Sequence, residues 1–202
     1  MEVFSEIFIK TFVPLFAIMD PFVSVPIFIA LTRKMSPEKR AGVAKEAVMV
    51  AGIILFAFLL VGNQILQYLG ISISALRVGG GIVLLLMGLQ LVLGLKIGHE
   101  EKIGHSSAGL IIGTPLITGP GVITTTILLA NQYGTNTVGF FAVVLAALSA
   151  LILSWAIIKE SNFVQRILGE RGIEIFSRVM GLLLTATAVQ FMARGGIFAL
   201  AP

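Results

Sequence analysis

Apolar residues run along this chain in six long, nearly uncharged stretches, at roughly 7–32, 43–68, 72–95, 108–131, 137–158 and 173–199. Neither the single apolar stripe of a soluble helix nor the alternation of a strand describes them. Each is long enough for the ~20-residue helix that crosses about 30 Å of hydrocarbon. The connections are short: RKMSPEKR (33–40), a GIS turn near Gly70, KIGHEEKIGHSS (96–107), NQYGTN (131–136) and KESNFVQRILGERG (159–172). None is long enough for a separate soluble domain. The pattern predicts an all-α membrane protein of six transmembrane helices, a single transmembrane domain over 1–202.

Composition and charge add a topology. Hydrophobic residues make up 57% of the chain and charged ones 12%, against about 25% charged in soluble domains. The cations sort by alternate connections. Arg33, Lys34, Lys39, Arg40 and Lys45 follow the first run, Lys96 and Lys102 the third, and Lys159, Arg166 and Arg171 the fifth, while the other two connections carry none. The positive-inside rule then makes the first, third and fifth connections cytoplasmic and puts both chain ends outside, in a multi-pass protein of the cell membrane. The net charge of +4 therefore reads as topology and not as a nucleic-acid surface. Glu2 and Glu6 precede the first cation and no clear cleavage site follows, so the first run is expected to stay as a helix. The absence of cysteine excludes disulfides and Cys-ligated metals.

Three-helix halves of opposite orientation follow from that topology, and the sequence repeats accordingly. PLFAIMDPFVSVPIF in the first run answers to PLITGPGVITTTIL in the fourth, and LRVGGGIVLLLMGLQ in the third to SRVMGLLLTATAVQ in the sixth. The offset is about 100 residues and the order is kept, which predicts two inverted repeats, about 1–98 and 106–202.

Within the repeats, Pro21 and Pro120 fall near the middle of the first and fourth runs. A proline there removes a helical hydrogen bond and forces the preceding residue out of the helix. Asp20 and Gly119 are good N-caps and proline suits the first helical position, so both sites read as starts of half-helices, making the first and fourth helices discontinuous. Irregular backbone at that depth needs protein or a watery cavity around it. The candidate binding residues are Asp20, Pro21, Phe22, Val23 and Ser24 at one break, and Thr118, Gly119, Pro120, Gly121, Val122, Ile123 and Thr124 at the other. The amides of Gly121, Val122 and Ile123 are expected to point unpaired into a cavity, at the positive end of a helix dipole suited to a carboxylate. Proline kinks filled by packing are the alternative. Asp20, the one aspartate of the chain, has three open roles: N-cap, partner of a substrate ammonium, or proton carrier.

Other polar residues carry less. Arg77 and Arg178 suit interfacial anchors or an ion pair, and Gln90, Gln190, Thr185 and Thr187 a polar path or packing glue. Gly79, Gly80, Gly81, Gly88 and Gly181 suit close helix approach, Leu128 a lipid contact, and Trp155 an interfacial anchor. His99, Glu100, Glu101 and His105 lie in a charged, glycine-punctuated loop and read as solvated, with no metal site.

IMDPFVSVPIF, GISISALRVGGGIVLLLMG, PLITGPGVITT and SRVMGLLLTATAVQF together make the chain resemble the MarC family of bacterial and archaeal membrane proteins, which includes SnatA-type transporters of small neutral amino acids. The resemblance covers nearly the whole chain. It implies a six-helix fold with discontinuous first and fourth helices and transport of glycine, alanine or similar solutes coupled to a cation gradient, with a proton or sodium ion as partner. Two departures alter the expected contacts: Val23-Ser24 stands where the family often has Gly-Asn, and the family's frequent acid near Gln90 is missing.

The expectation is a secondary transporter of small neutral amino acids with no cofactor; a structural or regulatory membrane subunit, or a channel for small solutes, is the alternative. The spanning runs hold no His or Cys and essentially one acid, too little for an enzyme's acid/base or metal chemistry. The topology has a direct test in this cysteine-free chain. A single cysteine replacing Gly98 should react with an impermeant maleimide from the cytoplasmic side alone. Labelling from outside alone overturns both the orientation and the inverted repeat.

Overall fold

A computed structural model describes residues 2–94, 118–134 and 136–196. Their order is α1 (Glu2–Met19), α2 (Pro21–Thr32), α3 (Pro37–Tyr68), α4 (Ile73–Leu93), α5 (Pro120–Tyr133), α6 (Thr137–Lys159) and α7 (Ser161–Arg194). No strand occurs among the described residues. Five stretches are long and apolar enough to cross a membrane: Glu2–Ile29, which joins α1 to α2, and α3, α4, α6 and α7. Of the fourth sequence run only the part from Thr118 is described, and the connection with His99, Glu100, Glu101 and His105 lies outside the described residues.

Short polar caps set the helix starts. Ser36 accepts a hydrogen bond from the Lys39 amide with Pro37 at the first helical position, Ser72 accepts from Ala75 at 3.1 Å, and Asn136 accepts from Gly139 at 2.7 Å. Each cap satisfies a donor that the first helical turn leaves free. The Ser36 cap lengthens the second helix to Pro37 and cuts the expected 33–40 connection to its first four residues. A larger difference concerns 159–172, expected as a connection. It is helical from Ser161, and only Gly169, at φ 62° and ψ 178°, interrupts it. Polar residues exposed along that stretch, Asn162, Arg166, Glu170 and Arg171, make it look like loop in sequence while remaining compatible with a helix outside the hydrocarbon.

Small residues bring the backbones together. A Cβ on Gly88 would lie 2.8 Å from both the Gly181 carbonyl oxygen and the Thr185 nitrogen, and one on Gly81 would lie 2.9 Å from the Ala188 carbonyl oxygen. From the other helix, a Cβ on Gly181 would lie 2.8 Å from the Gly88 carbonyl oxygen. α4 and α7 therefore meet backbone to backbone, the packing that lipid favours because burial of apolar area gives no drive between helices there. Gly80 receives the Thr124 methyl from α5, whereas Gly79 faces open space. Around this seam the core is aliphatic, with Leu15, Leu55, Leu84 and Leu184 almost wholly buried, while Ile53, Leu86, Ile152 and Leu182 are exposed at the perimeter, as lipid contact requires. α5 is the inner helix. Leu128, expected at the lipid, is 2% exposed because α5 is covered by α1, α3, α4 and α6 at once.

Polar ties mark the two ends. Arg40 of α3 donates to Asn162 at 3.2 Å and lies over the Phe28 ring, so the first and fifth connections share one end of the bundle. At the opposite end Asn131 of α5 donates to Asn63 of α3.

The glycine seam predicts a contrast between neighbours. Gly88→Ala should lower the unfolding free energy in detergent by about 1–3 kcal/mol, as overpacking against backbone does. Gly79→Ala should leave it unchanged or raise it by up to about 1 kcal/mol through helix propensity. Thermal unfolding followed by circular dichroism reads both; equal effects would remove the close approach.

Candidate functional site

Asp20 joins two helices by itself. Its amide still donates to the Phe16 carbonyl at 3.2 Å, completing the last turn of α1, and its own backbone turns to φ 29° and ψ 69°. No other non-glycine residue has positive φ among the described residues. Aspartate tolerates this region better than most residues because its short polar side chain bonds locally. Here Oδ1 accepts from the Val23 amide at 3.4 Å, capping α2 behind Pro21. The residue that ends α1 thus also begins α2, and no extra unpaired residue intervenes.

The other carboxylate oxygen has no such use. Asp20 is 5% exposed, and its Oδ2 has no hydrogen-bond partner among the described residues. Ser24, one turn further along α2 and almost wholly buried, has an unpartnered hydroxyl too. Both line a cavity of about 180 Å³ together with Ile18, Met19 and Val23 and, from α4, Met87, Gln90 and Leu91. That volume lies below the roughly 300 Å³ at which drug-sized pockets begin. Gln90 and Leu91 belong to the last turn of α4, so the cavity sits toward the end of the bundle that holds residues 33–36.

From the α7 side Ser177 lies beside Asp20, its hydroxyl buried and without a hydrogen-bond partner among the described residues. Sequence reasoning did not single it out. A signal was present: the repeat that matches Arg178-Val179 to Arg77-Val78 puts Ser177 opposite Leu76, a polar residue in an apolar place. Phe22 turns to the same helix, its ring centroid 4.1 Å from that of Phe176.

The second break is arranged differently. Gly119 precedes α5 at φ −70° and ψ 176° with no side-chain cap. Its carbonyl accepts the Val122 amide at 3.0 Å and the Ile123 amide at 3.2 Å, so two of the three amides expected to be free are occupied. Only the Gly121 amide is left without a partner among the described residues. Gly121 itself is closed in: a Cβ there would lie 2.9 Å from Leu84, 3.0 Å from the Met87 sulfur and 3.3 Å from Ile18. Thr124 packs on Gly80, Pro120 is exposed, and Thr118 is buried, its hydroxyl without a partner among the described residues. Among the described residues the cavity is therefore lined by Asp20, Val23 and Ser24, and the 118–124 set stands behind its wall, touching it through Gly121 against Ile18 and Met87.

Of the lesser candidates, Gln90 lines the cavity and Gln190 is exposed on α7. Thr185 and Thr187 donate to the carbonyls four residues back, at Gly181 and Leu183. Arg178 pairs with Glu174 one turn away on the surface of α7. Trp155 lies under the Lys159 ammonium, 5.0 Å from its ring centroid.

Comparison with known proteins agrees with the membrane-crossing length of the apolar helices. The model of the MarC family integral membrane protein matches residues 5–199. A UPF0056 membrane protein of Archaeoglobus fulgidus is 37% identical over 199 residues, covering 95% of this chain and 93% of that protein. The UPF0056 membrane protein YhcE of Escherichia coli is 32% identical over 203 residues, covering 95% and 94%. The UPF0056 inner membrane protein YhgN of the same species is 29% identical over 193 residues, covering 93% and 94%. These names place the relatives in a membrane and specify no solute. No solved structure matches. With a family match across almost its whole length and apolar helices of membrane-crossing length, this chain belongs to the MarC family of integral membrane proteins.

Proposed function

We propose that the chain is a secondary transporter of small neutral amino acids such as glycine and alanine. The observation that carries this reading is the cavity at the broken first helix, where a buried carboxylate, one of whose oxygens has no partner among the described residues, stands beside a carboxamide and a hydroxyl. A lone carboxylate buried in a spanning segment is expensive unless it has a task. Asp20 suits the substrate ammonium, and the Gln90 amide and Ser24 hydroxyl suit its carboxylate. A cavity of about 180 Å³ has room for glycine or alanine.

Inverted repeats support alternating access to this site. Both α2 and α5 begin at a proline, Pro21 and Pro120. α5 packs on α4 while α2 packs on α7, the pair of contacts that an exchange of halves requires. With the cation-rich 33–36 end as the cytoplasmic one and both termini outside, the cavity lies toward the cytoplasm.

Uptake of labelled glycine into proteoliposomes with imposed ion gradients tests the reading. Glycine and alanine should be taken up saturably; ethylamine should not compete, for want of a carboxylate. Asp20→Asn should insert normally, because the amide can still cap Val23, but should reduce uptake by about tenfold or more through loss of a charge-assisted contact. Wild-type uptake by Asp20→Asn, or equal competition by ethylamine, removes the zwitterion from the site. Single-channel currents would replace the transporter with a channel.

A further inference from the structure

α7 is too long for the bilayer it crosses. Its 34 residues rise about 51 Å at about 1.5 Å each, against about 30 Å of hydrocarbon, so about a dozen of them lie beyond it. The apolar run that begins at Ile173 fills the span. The surplus is therefore at the Ser161 end, where Arg40 of α3 donates to Asn162.

Gly169 marks the border. Its φ of 62° and ψ of 178° leave the helix, yet a Cβ there would meet nothing within 4 Å. Space does not require glycine at 169; the left-handed φ does. Ser161–Leu168 is thus a helical piece set off from the spanning part by a kink.

This piece has three sides. Ser161, Val164 and Gln165 turn to the bundle, the first buried and the others half-buried. Asn162 and Arg166 form an exposed polar stripe one turn long, and beside it Phe163 and Ile167, 61% and 63% exposed, form an apolar one. A polar stripe next to an apolar stripe suits a helix lying at the lipid headgroups, its apolar side chains toward the acyl chains and its cations at the surface. Past the kink the exposed apolar residues resume at Ile175, Val179 and Leu182. Along the chain the stripe continues a perimeter that lipid already covers.

Charge decides which lipid. In 33–40 and 159–171, which share this end, seven Lys and Arg stand against three Glu. Among the described residues Lys159 lies within 4.0 Å of Glu160, and neither Arg166 nor Arg171 joins an ion pair. An anionic headgroup layer supplies the balancing charge, which a zwitterionic layer does not.

We infer that Ser161–Leu168 is an interfacial half-helix that binds the anionic headgroups of the leaflet on the cation-rich side, with Phe163 and Ile167 toward the acyl chains and Arg166 and Arg171 on lipid phosphates. Nothing in this lipid contact depends on which solute the chain carries.

Two measurements on the full chain in lipid nanodiscs test it. Spin labels on Phe163→Cys, Ile167→Cys and Arg166→Cys, made singly, report collision with oxygen and with a water-soluble nickel chelate. The ratio of oxygen to nickel collisions should be about threefold or more higher at 163 and 167 than at 166. Equal ratios at the three positions put the segment in water, and exclusion of both reagents from 163 and 167 means that protein covers them; either result overturns the inference. Trp155, the one tryptophan of the chain and one turn before Lys159, reads the lipid class. Brominated phosphatidylglycerol should quench it about twofold more than brominated phosphatidylcholine at equal bromine content and low salt, and Arg166→Gln with Arg171→Gln should bring the two together. Both arginines are exposed, so these substitutions leave the fold in place. Equal quenching in the unaltered protein, or a preference that the double substitution leaves intact, overturns the anionic contact at this segment.

Discussion

An interrupted helix inside a bilayer must find partners for its freed backbone groups from protein alone, since lipid offers none. Asp20 meets much of that demand within one residue. Its amide closes α1, its positive φ turns the chain, and one carboxylate oxygen caps α2. The same geometry leaves the other oxygen without a hydrogen-bond partner among the described residues, and it adds to the polarity that Ser24 and Gln90 give the cavity beside it. Substitution by a residue that relieved the charge without capping α2 would therefore disturb fold and site together, whereas asparagine separates the two.

The two breaks divide the work unequally. At Pro21 the cap is a side chain, so an acid is present and chemistry is available. At Pro120 the cap residue is Gly119, whose carbonyl takes the first amides of α5, and the neighbouring Gly121 serves to let Leu84, Met87 and Ile18 close in. The second break therefore shapes the wall of the cavity from behind while the first supplies its polar groups.

Much of this was legible in sequence because hydropathy, proline and the small polar caps act locally. The five apolar spans seen among the described residues, Pro21 and Pro120 as helix starts, and Gly80, Gly81 and Gly88 as contact points follow from rules that need no partner helix. What failed needed one. Leu128 reads as a lipid contact in isolation, yet α1, α3, α4 and α6 enclose α5. Val122 and Ile123 read as free amides, but the Gly119 carbonyl bends to both. The 159–172 stretch reads as loop because its charges outweigh its helical propensity, and only Gly169 leaves the helix. Ser177 gains meaning only when α7 is laid across Asp20.

The backbone contact between α4 and α7 has a mechanical consequence. Where two helices touch through glycine, no long side chain lies between them to swing aside, so the pair behaves as one stiff beam under load. Any relative motion of the helices must then be taken up where α1, α2 and α5 bear on that beam. Those bearings are side chains: Phe22 on Phe176, and Leu84 and Met87 over Gly121. Compliance is thus assigned by residue size, with glycine marking what must not yield and phenylalanine and methionine marking the hinge surface.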